Sequence, residues 1–383
     1  MTINQIRNLF PHISTGQIYF NHAALGPWSV PVVNRINEYI TERTGAMVMN
    51  YESFVKWNNG ARNKLAELLN ADQSRFGWID NVSNALNIVA NGLEWKTGDR
   101  IILNDIEFPA NIYPFLNLKK SGVEIDFAKS RNGIVDLEDI EKLVTPNTKL
   151  ISISMVQFTS GYRADINSIG EFCRQKGIIF CVDAIQAVGA VDVDLKNTKV
   201  DFLAGGTQKW LMSSQGLSYF YINEELQNRI QQKNVGWISV ENAWDFLNYD
   251  LTLLKNADRY QTGTLNAFGI AIFDAALELY MKFKIENPPE GGQDCELRIL
   301  ENTNYFINKL VELGLNPILK NVPEKNRAGI VTFKHERAKQ LFVELEKKKI
   351  FAAVREGLIR FSPHFYNTKE EIDLVAEEIK KLI

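Results

Sequence analysis

Cysteine is scarce and scattered in this chain. Its 383 residues hold three, Cys173, Cys181 and Cys295. The number is odd, and the spacing fits neither a disulfide framework nor a zinc site. That excludes a small stapled secreted domain, and a reducing cytoplasm is the expected compartment. Net charge is nearly absent as well, since 43 basic against 46 acidic residues leave −3. Such a balance gives no reason to invoke nucleic acid or an anionic membrane. No apolar run is long enough to span a bilayer, and the polar opening Met1–Ser14 has no signal-peptide core. No Gly-x-Gly-x-x-Gly follows a strand, which argues against a nicotinamide dehydrogenase. Internal repeats, low-complexity tracts and metal-ligand spacings are also missing.

What is present is an ordinary globular composition, 45% hydrophobic and 23% charged, in a chain long enough for two or three domains. After a short strand at Ile18–Phe20 and a helix beginning near Pro31, Arg62–Leu69 reads as a helix. Strands are then expected at Arg100–Asn104, Val123–Phe127, Lys149–Met155 and Ile178–Val182. Helices are expected to start at Phe108-Pro109-Ala110-Asn111 and to cover Leu137–Leu143 and Ile166–Lys176, with Gly177 ending the last. Continuous Ile/Val/Phe runs separated by helices predict an α/β fold, a largely parallel sheet covered on both faces. Ligands of such sheets bind beyond the C-terminal ends of the strands. The C-terminal part reads as a small α/β unit. Its strands are Gly329–Phe333, Ile350–Val354 and Leu358–Phe361, and its helices Glu336–Lys347 and Lys369–Lys381. Asn287–Gly292 reads as a loop interrupting the helical region after Phe268.

Two stretches carry chemistry. In Phe202-Leu203-Ala204-Gly205-Gly206-Thr207-Gln208-Lys209-Trp210-Leu211 a strand-like run gives way to a turn and a lysine hemmed in by apolar residues. Such a lysine is either a turn residue reaching water or an amine made nucleophilic by desolvation. Some twenty-five residues earlier, Asp183 follows an apolar strand and is followed by Gln186 and Gly189. A carboxylate there needs a partner, because an unpaired buried charge is costly. Asn81-Val82-Ser83-Asn84 opens a helix, with Asn81 or Ser83 as N-cap, and its first turn offers N–H groups to an anion or is simply a capped helix. Arg360 is either a surface salt-bridge residue or a planar fork for a carboxylate. His22, at the end of the first strand, is either a turn histidine or a pocket residue.

The set Asp183-x-x-Gln186-x-x-Gly189, then Val200-Asp201-Phe202, then Thr207-x-Lys209-Trp210-Leu211 resembles the class V aminotransferases, fold-type I pyridoxal-phosphate enzymes. The family also holds cysteine desulfurases, kynureninases and isopenicillin-N-epimerase-like proteins. The resemblance covers roughly Tyr19 to Asp373. It implies pyridoxal 5′-phosphate as cofactor, with Lys209 as the Schiff-base lysine. Asp183 would pair with the pyridine nitrogen, and Gln186 would lie near the phenolic oxygen. Val82, Ser83 and Asn84 would sit at the phosphate, with Thr207 adding a hydroxyl. Gly263 and Thr264 resemble the loop reaching the partner subunit's phosphate, which implies a homodimer. Arg360 resembles the arginine that grips the substrate α-carboxylate. His22, Tyr162 and Arg355 are further candidates for the substrate pocket. The fold implied is a large cofactor-binding domain over 15–260 and a small C-terminal domain over 261–383, with residues 1–14 packing on the latter.

The chain departs from the family pattern at three places. Phe108 stands where a ring-stacking histidine is usual, so stacking is kept and proton transfer is not. Phe158 takes the place of an asparagine, and Gln208 that of a histidine before the lysine. No cysteine lies between Gly329 and Arg360, where a desulfurase carries its sulfur acceptor. The expected activity is therefore amino-acid transamination. A lyase, desulfurase-like enzyme or epimerase of the same family is the alternative, and a catalytically silent cofactor-binding protein the second alternative.

Overall fold

The computed structural model describes residues 2–286 and 295–383. The loop expected at Asn287–Gly292 falls outside the described residues.

The chain begins by tying itself to its far end. Strand β1 (Ile18–Tyr19) pairs in parallel with Ile350–Phe351. Arg7 donates to the Tyr366 carbonyl at 2.9 Å and pairs with Glu371 at 2.7 Å.

The central sheet follows from the apolar runs. Its strands are β2 (Phe76–Ile79), β3 (Arg100–Asn104), β4 (Glu124–Ala128), β5 (Thr148–Ser154), β6 (Ile179–Asp183), β7 (Phe202–Gly206) and β8 (Ser218–Ile222). Their order is β2-β8-β7-β6-β5-β3-β4. Only β8 runs against its neighbours among these strands. Successive residues alternate between two apolar layers. Ile151, Phe180, Val182 and Leu203 belong to one, and Leu150, Ile179, Cys181 and Phe202 to the other. Both faces are therefore covered, as uninterrupted Ile/Val/Phe strands require.

A three-stranded antiparallel sheet closes the C-terminal part: β9 (Val331–Lys334), β11 (Ala353–Arg355) and β12 (Leu358–Phe361), with β10 being Ile350–Phe351. Phe20, Phe306, Leu341, Phe361 and Ile379 share its apolar layer. Among the described residues, no helix is long and apolar enough to cross a membrane.

Three expectations shift. The helix expected at Arg62–Leu69 is the end of a longer one, Tyr51–Leu68. The helix expected from Phe108 is a 3-10 turn, Pro109–Asn111, followed by the short helix Tyr113–Leu116. Pro114 lacks the N–H that a continuous helix would need there. Asp183 is the last residue of its strand rather than the first beyond it.

Candidate active site

The site is built at the C-terminal ends of the neighbouring parallel strands β6 and β7. β6 delivers Asp183, pairing with Ser154 of β5 on one side and Ala204 of β7 on the other. Three residues past β7 stands Lys209. Asp183 is 1% exposed, and one carboxylate oxygen accepts the Ile185 N–H at 2.9 Å. Burial, reinforced by the charge of Glu107, pushes its carboxyl up to about 7, while the Ile185 hydrogen bond and Lys209 pull the other way. Burial in turn lowers the Lys209 ammonium to about 8, with Arg360 and Arg355 acting in the same sense and Asp183 opposing. The two groups thus feel each other's charge, and among the described residues no hydrogen bond holds the lysine Nζ. The lysine loop is seated by close backbone approach. A Cβ on Gly26 would lie 2.3 Å from the Lys209 carbonyl oxygen. Gly189, at φ +95°, would put one 2.8 Å from the Trp210 carbonyl carbon.

The wall opposite is aromatic and cationic. The Lys209 Nζ stands 5.8 Å from the Phe108 ring centroid. Phe108 meets Phe158 edge-to-face at 5.3 Å. The Phe158 carbonyl accepts from Arg360 Nη1 at 2.8 Å. Arg360 is 2% exposed, its Nε has no partner, and burial lowers its guanidinium to about 10. Arg355 is exposed and, among the described residues, bonds only the Val354 carbonyl, at 2.8 Å.

Glu107 escaped the sequence reading. It is buried beside Phe108, and its oxygens accept from Asn104 Nδ2 at 2.6 Å, the Ser154 N–H at 2.7 Å, Gln157 Nε2 at 3.0 Å and the Ser154 hydroxyl. The only signal was an acidic residue three positions beyond the β3 strand end. Those bonds tie the end of β3 to the end of β5 and the loop after it, and its charge raises Asp183.

At the helix Val82–Gly92, Asn81 is the N-cap, and its side chain takes the Asn84 N–H at 2.8 Å. The first-turn N–H groups of Val82 and Ser83 have no intrahelical acceptor and point out of the helix end. Val82 is itself buried, Ser83 half-buried, and Asn84 exposed with its amide on Asp80 at 2.8 Å. A cavity of about 880 Å³ is lined by Asn84, Asn87, Gly216, Gln261, Gly263 and Thr264 among others. Lys209 and Asp183 do not line it. Gly263 and Thr264 thus border Asn84 of their own chain.

Other candidates are placed differently from expectation. The Thr207 hydroxyl lies on the carbonyls of Ser214, at 2.7 Å, and Leu217, at 2.9 Å, so its proton pins the lysine loop rather than serving a phosphate. His22 is fully buried, with one ring nitrogen on the Ser362 carbonyl at 2.8 Å and the other on the Tyr366 hydroxyl at 2.7 Å. No ring nitrogen is left for a substrate. Tyr162 lies in the core, its phenol raised by burial and by Asp136 and Asp165, not by any group of the lysine site. Gln186 spends its oxygen on the Trp210 N–H and one amide hydrogen on the Ala23 carbonyl, each at 2.9 Å, which leaves one hydrogen unused.

These residues suit pyridoxal phosphate. A buried carboxyl poised near neutrality can hold a ring nitrogen protonated, a desolvated lysine can carry the aldehyde, and Phe108 offers a ring face. The strand order, with the lysine one turn beyond β7, defines a fold-type I architecture. The model of the family described as Aminotransferase class-V matches residues 18–375, and the chain belongs to that family. An uncharacterized aminotransferase of Bacillus subtilis, YcbU, is 29% identical over 98% of this chain and 96% of its own. A probable cysteine desulfurase of Methanothermobacter thermautotrophicus is 26% identical over 95% of this chain and 94% of its own. Among solved structures, the cysteine desulfurase of Thermococcus onnurineus superposes with a TM-score of 0.89 at 23% identity, covering 100% and 98% of the two chains.

Proposed function

We propose that this protein is a pyridoxal-phosphate enzyme that transfers the amino group of an amino acid. The observation that carries the reading is the Lys209 amine, lowered to about 8 and held in the charge field of Asp183 and Arg360. The cofactor, when bound, supplies an electron sink for the bond broken at the substrate Cα. Asp183 would hold the cofactor's ring nitrogen protonated. Arg360 orients the substrate through its α-carboxylate, with the Phe158 carbonyl fixing the guanidinium plane. Lys209 moves the Cα proton as general base and then acid, a task suited to an amine titrating near neutrality. Phe108 stacks and takes no part in proton transfer.

Transamination is favoured over desulfuration through an enzyme-bound persulfide because every thiol is withdrawn. Cys173, Cys181 and Cys295 are all buried. Burial pushes the thiols of Cys173 and Cys181 far above the ordinary range. A lyase whose sulfur leaves with the product is the second reading, favoured by the desulfurase names among the relatives. Incubation with single amino acids and a keto-acid acceptor separates the two. Transamination predicts one new amino acid per keto acid formed. Sulfide release with no amine transferred would replace it with the lyase reading.

The same reading makes the working unit a homodimer in which Gly263 and Thr264 help complete the partner's phosphate site. Support comes from Trp237, Trp244 and Phe246, which pack on one another at 5.5–6.3 Å close to that loop and are still exposed. It also divides the chain into a cofactor-binding domain over 15–260 and a smaller domain over 261–383, with residues 1–14 on the latter.

A further inference from the structure

We propose that the substrate carries a second anionic group, a side-chain carboxylate as in an acidic amino acid, and that Arg355 binds it beside Arg360. This rests on the amino-acid reading above and deepens it.

The geometry comes from the hairpin of β11 and β12. Its two-residue turn is Glu356-Gly357, both at positive φ, +48° and +75°. Such a turn holds two antiparallel strands in tight register. Here Ala353 faces Arg360, and Arg355 faces Leu358. Residues directly opposite share a face, and so do residues two apart along a strand. Arg355 and Arg360 therefore leave the same face as diagonal neighbours, on the order of 7–8 Å apart at Cα. Two long guanidinium side chains rooted that closely can close on two carboxylates of one small molecule.

The bonding state argues in the same direction. Of the two buried arginines among the described residues, Arg62 pairs with Asp258 at 2.6 Å. Among the described residues no carboxylate pairs with Arg355 or Arg360. Among the described residues Arg355 makes a single hydrogen bond, to a neighbouring carbonyl, and Arg360 has a buried Nε with no partner. Both cations act on Lys209, and Arg355 also acts on Arg360. Two guanidiniums repelling each other beside a substrate amine site form an unspent charge. The α-carboxylate of a neutral amino acid would answer only one of them. An acidic side chain answers the other. Arg355 is exposed and Arg360 is buried, which places the α-carboxylate inside and the side-chain carboxylate toward the mouth.

The test uses the holoenzyme of the wild type, Arg355→Leu and Arg355→Lys. The kcat/KM for aspartate and glutamate is set against that for alanine. Calorimetry with succinate and acetate then reads anion binding without turnover. The wild type is expected to prefer the acidic substrates. Arg355→Leu is expected to cut that preference about 10-fold or more and to weaken succinate by a similar factor relative to acetate, the loss of one charge-assisted contact. Arg355→Lys should restore part of both. The inference is overturned if the wild type shows no preference for acidic substrates. Equal effects of Arg355→Leu on alanine and aspartate would also overturn it, as would a loss of cofactor affinity in place of succinate affinity, which would assign Arg355 to the phosphate. The succinate arm does not depend on amine transfer, so it reads this inference even if the transaminase reading fails.

Discussion

Trp210 joins two buried polar clusters that spend their hydrogen bonds in opposite ways. On one side its ring packs with His22 and His364, at 6.2 and 5.4 Å. There both nitrogens of each histidine are engaged, by Ser362 and Tyr366 for His22, and by the Trp210 carbonyl and the Phe365 N–H for His364. On the other side its chain neighbour Lys209 feels the charges of Asp183 and Arg360, and the Arg360 Nε has no partner among the described residues. A closed network of buried polar groups stabilises the fold, because breaking it strands donors and acceptors away from water. An open cluster of buried charge costs stability and is kept for a ligand that completes it. Burial alone therefore does not distinguish a functional group from a structural one. The unspent bonds do.

Substitutions on the two sides should behave differently. Lys209→Ala is expected to lower kcat by about 10²–10⁴-fold with the fold intact, measured by steady-state kinetics beside circular dichroism. Arg360→Leu should cost roughly 10²-fold in kcat/KM, and Arg360→Lys should not fully repair it, since a point charge cannot replace the fork.

Asp183→Asn sharpens the contrast through pH. In the folded protein without cofactor the Asp183 carboxyl titrates at about 7, above its ordinary value of 3.8. A raised acid contributes stability that is fully present below about 4 and lost as pH rises through 7. Lys209, lowered to about 8 from 10.5, titrates above that window. Thermal midpoints of the cofactor-free proteins at pH 5, 6, 7 and 8 should show the variant gaining on the wild type as pH rises, by about 2–3 kcal/mol over that range. A difference independent of pH would deny that Asp183 is strained by burial. On the closed side, His22→Leu should cost about 1–3 kcal/mol of stability by denaturant unfolding while leaving KM unchanged. A shift in KM would return His22 to the substrate pocket.

The open side was the more legible in sequence. Asp183 stands where an apolar run stops and Lys209 in the turn after another, hemmed in by apolar residues, and a charge in either place needs an explanation that a single stretch can pose by itself. The helix Ile166–Lys176 was legible to the residue, since Asp165 caps its start and Gly177, at φ +67°, its end. The closed side was not. His22 takes its partner from 340 residues away, and nothing local reveals that both ring nitrogens are spent. Thr207 read as a site hydroxyl because its acceptors are main-chain carbonyls, which every sequence contains and none displays. Glu107 was hidden for a similar reason, since Ser154 and Gln157, which it binds, lie about fifty residues away at and beyond the end of β5. The aromatic pair of Phe108 and Phe158 was legible as two departures from the family pattern, but their edge-to-face contact needed the fold.

The central claim is that Lys209 is the amine that takes the cofactor. Purified protein incubated with pyridoxal phosphate, reduced with borohydride, digested and mapped by mass spectrometry tests it directly. The account predicts a single stoichiometric label on the peptide carrying Lys209, lost in Lys209→Ala. A label on another lysine, or none at all, would contradict it.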